Sequence, residues 1–309
     1  MGYSLVRIAI ILLSLSVLSD AGNKTRKRNP PMESHFIEYE ENSADQALPF
    51  SMRCNQSGAI QMLVRTNRGL PANSSVGIYR FSVAPDLIGG IINRIQKAPK
   101  QSPVSGVIPG EVIRTISLKG DGQNSTWYAT ESKDASKDFK DIENQLVAIR
   151  NDGLKNPLFG LCFHPIQMKM DPSHKTNLSL FFIIFNSGSE PVSIPYPGLG
   201  DPDETIIELN GIRSDVDSDK LSMQDQVFIQ IARKDIKHLH SRISDEKCCS
   251  LEPKDSIVID CSTFVSVRPG PYKVSYNFQT VLNDINHQQI SVVELFGEVL
   301  FTFSSMVKN

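Results

Sequence analysis

The chain has 309 residues, 40% of them hydrophobic and 21% charged, with a formal net charge of -2. This is ordinary for a globular protein that builds its core unaided, and the length predicts two domains of about 100 to 150 residues each. No clustered basic excess recommends a nucleic-acid or anionic-membrane partner, so neither is expected.

The chain begins "MGYSLVRIAIILLSLSVLSDAG", where Arg7 precedes an apolar run from Ile8 to Leu18 and then Ser19, Asp20 and Ala21. That is the three-part plan of a secretory signal peptide over residues 1–21, cleaved after Ala21. The run is too short to span a bilayer comfortably, so no integral membrane insertion is expected after cleavage. Lys24, Arg26, Lys27 and Arg28 follow at once and oppose translocation, which keeps an uncleaved anchor as the competing reading. The polar stretch 22–50 reads as a flexible arm, basic first and acidic later. Its "RKR" is a solvated charge cluster or, on a eukaryotic route, a dibasic processing site. Sequons occur at Asn23, Asn55, Asn73, Asn124 and Asn177 and matter only on that route. The expected location is secreted or periplasmic.

Residues 51–156 read as a small α+β domain. "GAIQMLVRT" and "SVGIYRFSV" are strand-like runs joined by the turn residues of "NRGLPANS". In "APDLIGGIINRIQK" the residues Leu87, Ile88, Ile91, Ile92 and Ile95 recur at helical spacing behind Pro85, against the cost of Gly89 and Gly90. "GEVIRTISLKG" and "NSTWYATES" form a second strand pair around Asp121 and Gly122. "DFKDIENQLVAIRNDG" puts Phe139, Ile142, Leu146 and Ile149 on one helical face, with Gly153 placed to end the helix. The order predicts helices over one face of an antiparallel sheet.

"NPLFGLCFHPIQMKMDPSH", punctuated by Pro157, Pro165 and Pro172, is the expected domain boundary. Residues 157–309 then read as almost entirely β. "NLSLFFIIF" is apolar on both faces, as a strand covered on both sides would be. "VSIPY", "TIIELNGI", "QVFIQIA", "DSIVIDCSTFVSV", "PYKVSYNFQT", "QISVVELF" and "EVLFTF" follow as short strands, the pattern of a sandwich or barrel. Tyr272, Val274, Tyr276 and Phe278 alternate with Lys273, Ser275, Asn277 and Gln279, which assigns the first four to the core.

"PGPYKV" resembles the late-strand signature of immunoglobulin-like and fibronectin type III-like modules, with Gly270, Tyr272 and Val274 in the Gly-x-Tyr-x-Val pattern of a tyrosine corner. The resemblance covers the second half and implies an immunoglobulin-like sandwich there, so the whole chain reads as an α+β N-terminal domain, from its element order, followed by an all-β immunoglobulin-like sandwich. The core Trp and Cys pair of antibody domains are missing, since Trp127 lies in the other half, so antibody-like recognition does not carry over.

Five cysteines remain: Cys54, Cys162, Cys248, Cys249 and Cys261. Export would allow two bridges and one leftover thiol, the candidates being Cys54 with Cys162 and either Cys248 or Cys249 with Cys261; the alternative is reduced, buried thiols. His238, His240, Cys248 and Cys249 are the best metal-like constellation, although their spacing matches no standard zinc pattern. Asp215, Asp217 and Asp219, with Asp201, Asp203 and Glu204, offer oxygens for calcium, but an EF-hand fails at Lys220 and Gln226. Cys162 and His164 are the one tight Cys/His pair, and a structural thiol beside an incidental His outweighs a thiol enzyme. No nucleophile elbow, phosphate loop or dinucleotide fingerprint occurs, so no catalytic or cofactor residue is named. The expected function is a non-catalytic binding module for another protein or an extracellular ligand, with a proteinase-inhibitor-like module as its specific form. The alternatives are an exported hydrolase with a dispersed site between the domains and a metal-handling protein.

Overall fold

The structure is a computed structural model that describes residues 35–43, 46–70, 74–98, 111–120, 123–130, 135–170, 177–196, 205–240 and 248–303. The expected signal peptide, the basic cluster at 26–28, the Asp121–Gly122 turn and the acidic residues 201–204 lie outside them. The described chain is mostly strand, in two antiparallel sheets, with two α-helices.

The elements in chain order are β1 (Phe36–Ser43), β2 (Gln46–Asn55), β3 (Ala59–Val64), β4 (Val76–Ser82), α1 (Pro85–Lys97), β5 (Val112–Gly120), β6 (Gln123–Thr130), α2 (Lys137–Gly153), β7 (Pro157–Met170), β8 (Asn177–Asn186), β9 (Val192–Pro195), β10 (Thr205–Arg213), β11 (Gln226–Gln230), β12 (Ile236–His240), β13 (Cys248–Leu251), β14 (Ser256–Phe264), β15 (Gly270–Asn283) and β16 (Gln289–Phe303). A ten-stranded sheet runs β12-β14-β8-β7-β4-β3-β2-β1-β5-β6. A six-stranded sheet runs β11-β10-β15-β9-β13, with β16 paired along β15. None of the described helices is long and apolar enough to cross a membrane.

Both helices sit where the apolar period puts them. Pro85 opens α1, and the Ser136 hydroxyl caps α2 by accepting from the Phe139 N–H at 3.2 Å. Ile88, Ile91, Ile92 and Ile95 of α1 and Phe139, Ile142, Leu146 and Ile149 of α2 are buried. They cover the sheet face that carries Ile37, Tyr39, Met52, Met62, Ile116 and Trp127. A β-carbon on Gly89 or Gly90 would meet nothing within 4 Å. Replacing both with Ala is therefore expected to stabilise the fold by about 1 kcal/mol, read as a higher urea midpoint with an unchanged slope.

Several expectations are corrected. Residues 36–43 and 46–50, read as part of a flexible arm, form β1 and the start of β2 inside the large sheet. Ile37 and Tyr39 are the buried half of an alternation whose other half, Glu38 and Glu40, gave the stretch its acidic look. Strand pairing continues across residue 157, because β7 pairs with both β4 and β8; its register slips between His164 and Gln167, where Pro165 lacks an N–H. β8 alternates fully buried with half-buried residues rather than being sealed on both faces. "QISVVELF" and "EVLFTF" are one strand, β16, since Gly297 leaves room for the Tyr276 ring, which a β-carbon would meet at 2.1 Å. α2 does end at Gly153, but through packing rather than a left-handed turn: Gly153 keeps space for the Phe81 ring, 2.2 Å from where its β-carbon would stand.

Among the described residues, which include all five cysteines, there is no disulfide. Cys54 on β2 and Cys162 on β7 are separated by three strand spacings, about 14 Å, where a bridge needs Cα atoms about 4.4 to 6.8 Å apart. Cys249 on β13 and Cys261 on β14 are buried in different sheets, which stack about 10 Å apart. Burial pushes the Cys54 and Cys261 thiols up to about 12, which suppresses the reactive thiolate. Denaturing the protein without reductant is expected to yield five titratable thiols, with Cys54 and Cys261 silent to a thiol reagent in the native state; a count of one would restore the bridged scheme.

The two sheets meet face to face around Phe163 of β7, whose ring lies 5.1 Å from Tyr276 and 5.8 Å from Phe278 of β15. Two tyrosine corners lock the crossings. Tyr272 donates to the Arg268 carbonyl at 2.9 Å, four residues upstream, beside Gly270 at φ +148°. Tyr79 does the same to the Ser75 carbonyl at 2.6 Å, beside Gly77 at φ +135°.

Candidate functional site

The metal-like constellation is divided between the sheets. His238 and His240 lie on β12, the outermost strand of the large sheet, in register with Asp260 and Val258 of β14. Cys248 and Cys249 lie on β13 of the other sheet, in register with Pro195 and Ile194. Cys162 faces Phe185 across β7 and β8, and burial raises its thiol. Of the acidic loop, Asp215 is clamped by Arg213, whose Nε and second amino group donate at 2.6 and 3.0 Å, and Asp217 takes Lys220 at 2.8 Å. Among the described residues no three His, Cys, Asp or Glu side chains gather as metal ligands.

The buried Asp225 organises the neighbouring corner. Its Oδ2 accepts from the Ser222 N–H at 3.0 Å and from the Ser222 hydroxyl, and the Arg268 and Arg213 guanidinium groups stand 3.4 and 3.5 Å away. The Ser222 bonds, then the two arginines, hold the Asp225 carboxyl below the usual range. Stability from a depressed acid is present above its unfolded value and lost as pH falls through the folded one. Asp225→Asn is therefore expected to lower the melting temperature at pH 7 by several degrees, with the gap to the parent narrowing once pH falls below about 4. A gap independent of pH would rule out the charge as the cause.

Beside this corner the small sheet presents an apolar surface. Along β10, β11, β15 and β16 one alternate set is buried, including Leu209, Val227, Val274, Phe278 and Leu295. The opposite set leaves Ile212, Phe228 and Leu300 at 51, 64 and 76% exposure. Register gathers them: Ile212 opposes Lys273, Lys273 opposes Leu300, and Phe228 opposes Asn210 one row along. Lys273 and Glu298 form an ion pair at 2.8 Å within the patch. A single exposed Leu is unremarkable, whereas several large apolar side chains on one face, rimmed by charge, mark a surface built to be covered. β11 ends the sheet order, so the patch reaches an edge strand. Sequence reasoning assigned these strands but not this face; the signal was Phe228, Ile212 and Leu300 at the outward positions of the alternation.

A second polar feature lies where β3 leaves the large sheet. Arg65 and the residues after it run alongside β16: the Arg65 carbonyl accepts from the Glu294 N–H at 2.6 Å, Thr66 bridges in parallel to Glu294, and Asn67 bonds both backbone groups of Phe296 at 2.7 and 2.9 Å. Arg68 pairs with Glu294 at 3.2 Å and stacks on Phe296.

No family model matches the chain, and no curated protein matches it. Two solved structures are similar at low scores. One is titled as manganese lipoxygenase of Gaeumannomyces graminis with part of zonadhesin of Komagataella pastoris: 8% identity, 91% of this chain and 85% of that one, TM-score 0.18. The other is the collagen adhesin of S. aureus: 6% identity, 86% and 82% coverage, TM-score 0.17.

Proposed function

We propose that the protein is an exported, non-catalytic binding protein that holds another protein on the outer face of its small sheet. The observation that carries this reading is the group of exposed Ile212, Phe228 and Leu300 around the Lys273–Glu298 pair. Burying such side chains is worth about 1.5 to 3 kcal/mol each, and a charged pair among them gives register to a partner. The framework beneath is an immunoglobulin-like β-sandwich to which strands of both halves of the chain contribute; the bond from Tyr272 to the Arg268 carbonyl supports this. Export is supported by the leader-like residues 1–21.

The test places a photo-crosslinking phenylalanine analogue at position 228 or 300 and, as a control, at the exposed Asn144 of α2. Irradiation in the exported fraction is expected to give one discrete adduct from 228 and 300 and none from 144. Adducts from all three, or from none, would reject the face as the binding surface.

A further inference from the structure

Arg65 differs from the other arginines in the company it keeps. Arg114 bonds both oxygens of Glu143, Arg150 bonds Glu41, Arg213 bonds Asp215 and Arg68 bonds Glu294. The Arg65 Nε is buried and meets no hydrogen-bond partner; the Arg114 Nε is likewise unpaired, but Arg114 has Glu143 on its amino group, whereas among the described residues no carboxylate bonds Arg65. Desolvation lowers its basicity, with Glu40 as the carboxylate acting on it in the other direction. A buried donor left without an acceptor is destabilising, more so when charged, so such a group calls for an explanation.

Glu40 shares its sheet face. It opposes Ser51 of β2, Ser51 opposes Leu63 of β3, and Arg65 stands one strand repeat beyond Leu63. Thr115 of β5 flanks Glu40 on the other side. Glu38 pairs with Lys119; burial and the Glu38 charge raise the Glu40 carboxyl, against the pull of Lys119 and then of Arg65. The face thus carries a desolvated cation and a desolvated anion that act on each other without a bond between them.

We propose that Arg65 and Glu40 are the two poles of a binding site for a small zwitterion, with the carboxylate of the ligand on the Arg65 guanidinium and its ammonium on Glu40. A simple anion would satisfy Arg65 but be repelled by Glu40 and Glu38, and a simple cation would face the converse. A molecule carrying both charges supplies an acceptor to the Arg65 Nε, matching the planar fork of the guanidinium to a carboxylate, and neutralises Glu40. By register Ser51 lies between the two poles, and Thr115 lies on the far side of Glu40. This site is independent of the apolar face and stands or falls separately.

The test titrates the full-length protein with glycine, β-alanine, 4-aminobutyrate and 6-aminohexanoate, following the Arg65 Nε–H resonance by NMR and the melting temperature. An equimolar mixture of acetate and ethylammonium at matched ionic strength is the control. One member of the series is expected to move the resonance saturably and raise the melting temperature, the mixture is expected to do neither, and Glu40→Gln is expected to weaken binding at least tenfold. Linear, unsaturated shifts across the series, or equal shifts with the mixture, would overturn the proposal on the parent protein alone, whatever the variant does.

Discussion

Gly77→Ala is expected to cost about 3 to 5 kcal/mol, enough to leave little folded protein from a domain of ordinary stability. Two causes coincide there. Gly77 sits at φ +135°, where an L-residue is strained, and its β-carbon would fall 2.0 Å from the carbonyl oxygen of Phe159 on β7. The clash is with backbone, so no side chain can yield; relief would separate β4 from β7 at the centre of the large sheet. Gly69 is the control. It has φ +71° with nothing within 4 Å of its β-carbon, so Gly69→Ala is expected to cost about 1 kcal/mol from conformation alone. Urea midpoints measure both, and equal losses would show that the contact with Phe159 is unimportant.

Glu143→Ala is expected to cost about 3 kcal/mol. Glu143 is buried on α2, accepts from one amino group of Arg114 at 3.0 and 2.9 Å, and lies 3.2 Å from the Tyr39 hydroxyl, which donates to Glu41 at 2.8 Å. Arg150 completes the network by donating to Glu41 at 2.9 Å. Removing the Glu143 carboxylate leaves Arg114 under the helix without its anion, and the partial exposure of Arg114 keeps the loss near the lower end for a broken buried pair. Replacing both partners by apolar residues, Arg114→Met with Glu143→Leu, is expected to return to within about 1 kcal/mol of the parent, because no charge is then stranded. A double-mutant cycle in urea reads the coupling, and additive losses would mean that the pair does not hold α2 to the sheet.

The parts of the fold legible in the sequence are those where one apolar period dominates. Ile88, Ile91, Ile92 and Ile95 specify α1 despite Gly89 and Gly90, and Tyr272, Val274, Tyr276 and Phe278 all turn inward as their alternation requires. β1 is hard to read because only Ile37 and Tyr39 mark its buried side against the three acidic residues Glu38, Glu40 and Glu41, and β12 and β13 are too short to show a period. The corner at Gly77 and Tyr79 carries the same Gly-x-Tyr signal as Gly270 and Tyr272, masked by surrounding residues that read as an ordinary strand. The candidate surfaces were less legible still. Ile212, Phe228 and Leu300 come from three strands, β10, β11 and β16, brought together by register through β15, and nothing local distinguishes an outward Phe from an inward one once a strand is apolar on both sides. Arg65 became notable only when its neighbours left its Nε without an acceptor, a property of the assembled sheets.

The central claim is that the outer face of the small sheet is covered by a partner where the protein works, and hydroxyl-radical footprinting tests it most directly. The purified protein and the same protein in its exported milieu would be oxidised in parallel, with Leu87 and Phe264, exposed on other elements, as internal standards. Lower oxidation at Ile212, Phe228 and Leu300 in the milieu, with the standards unchanged, is the predicted result. Equal oxidation of all five side chains in both samples would contradict the proposed binding face.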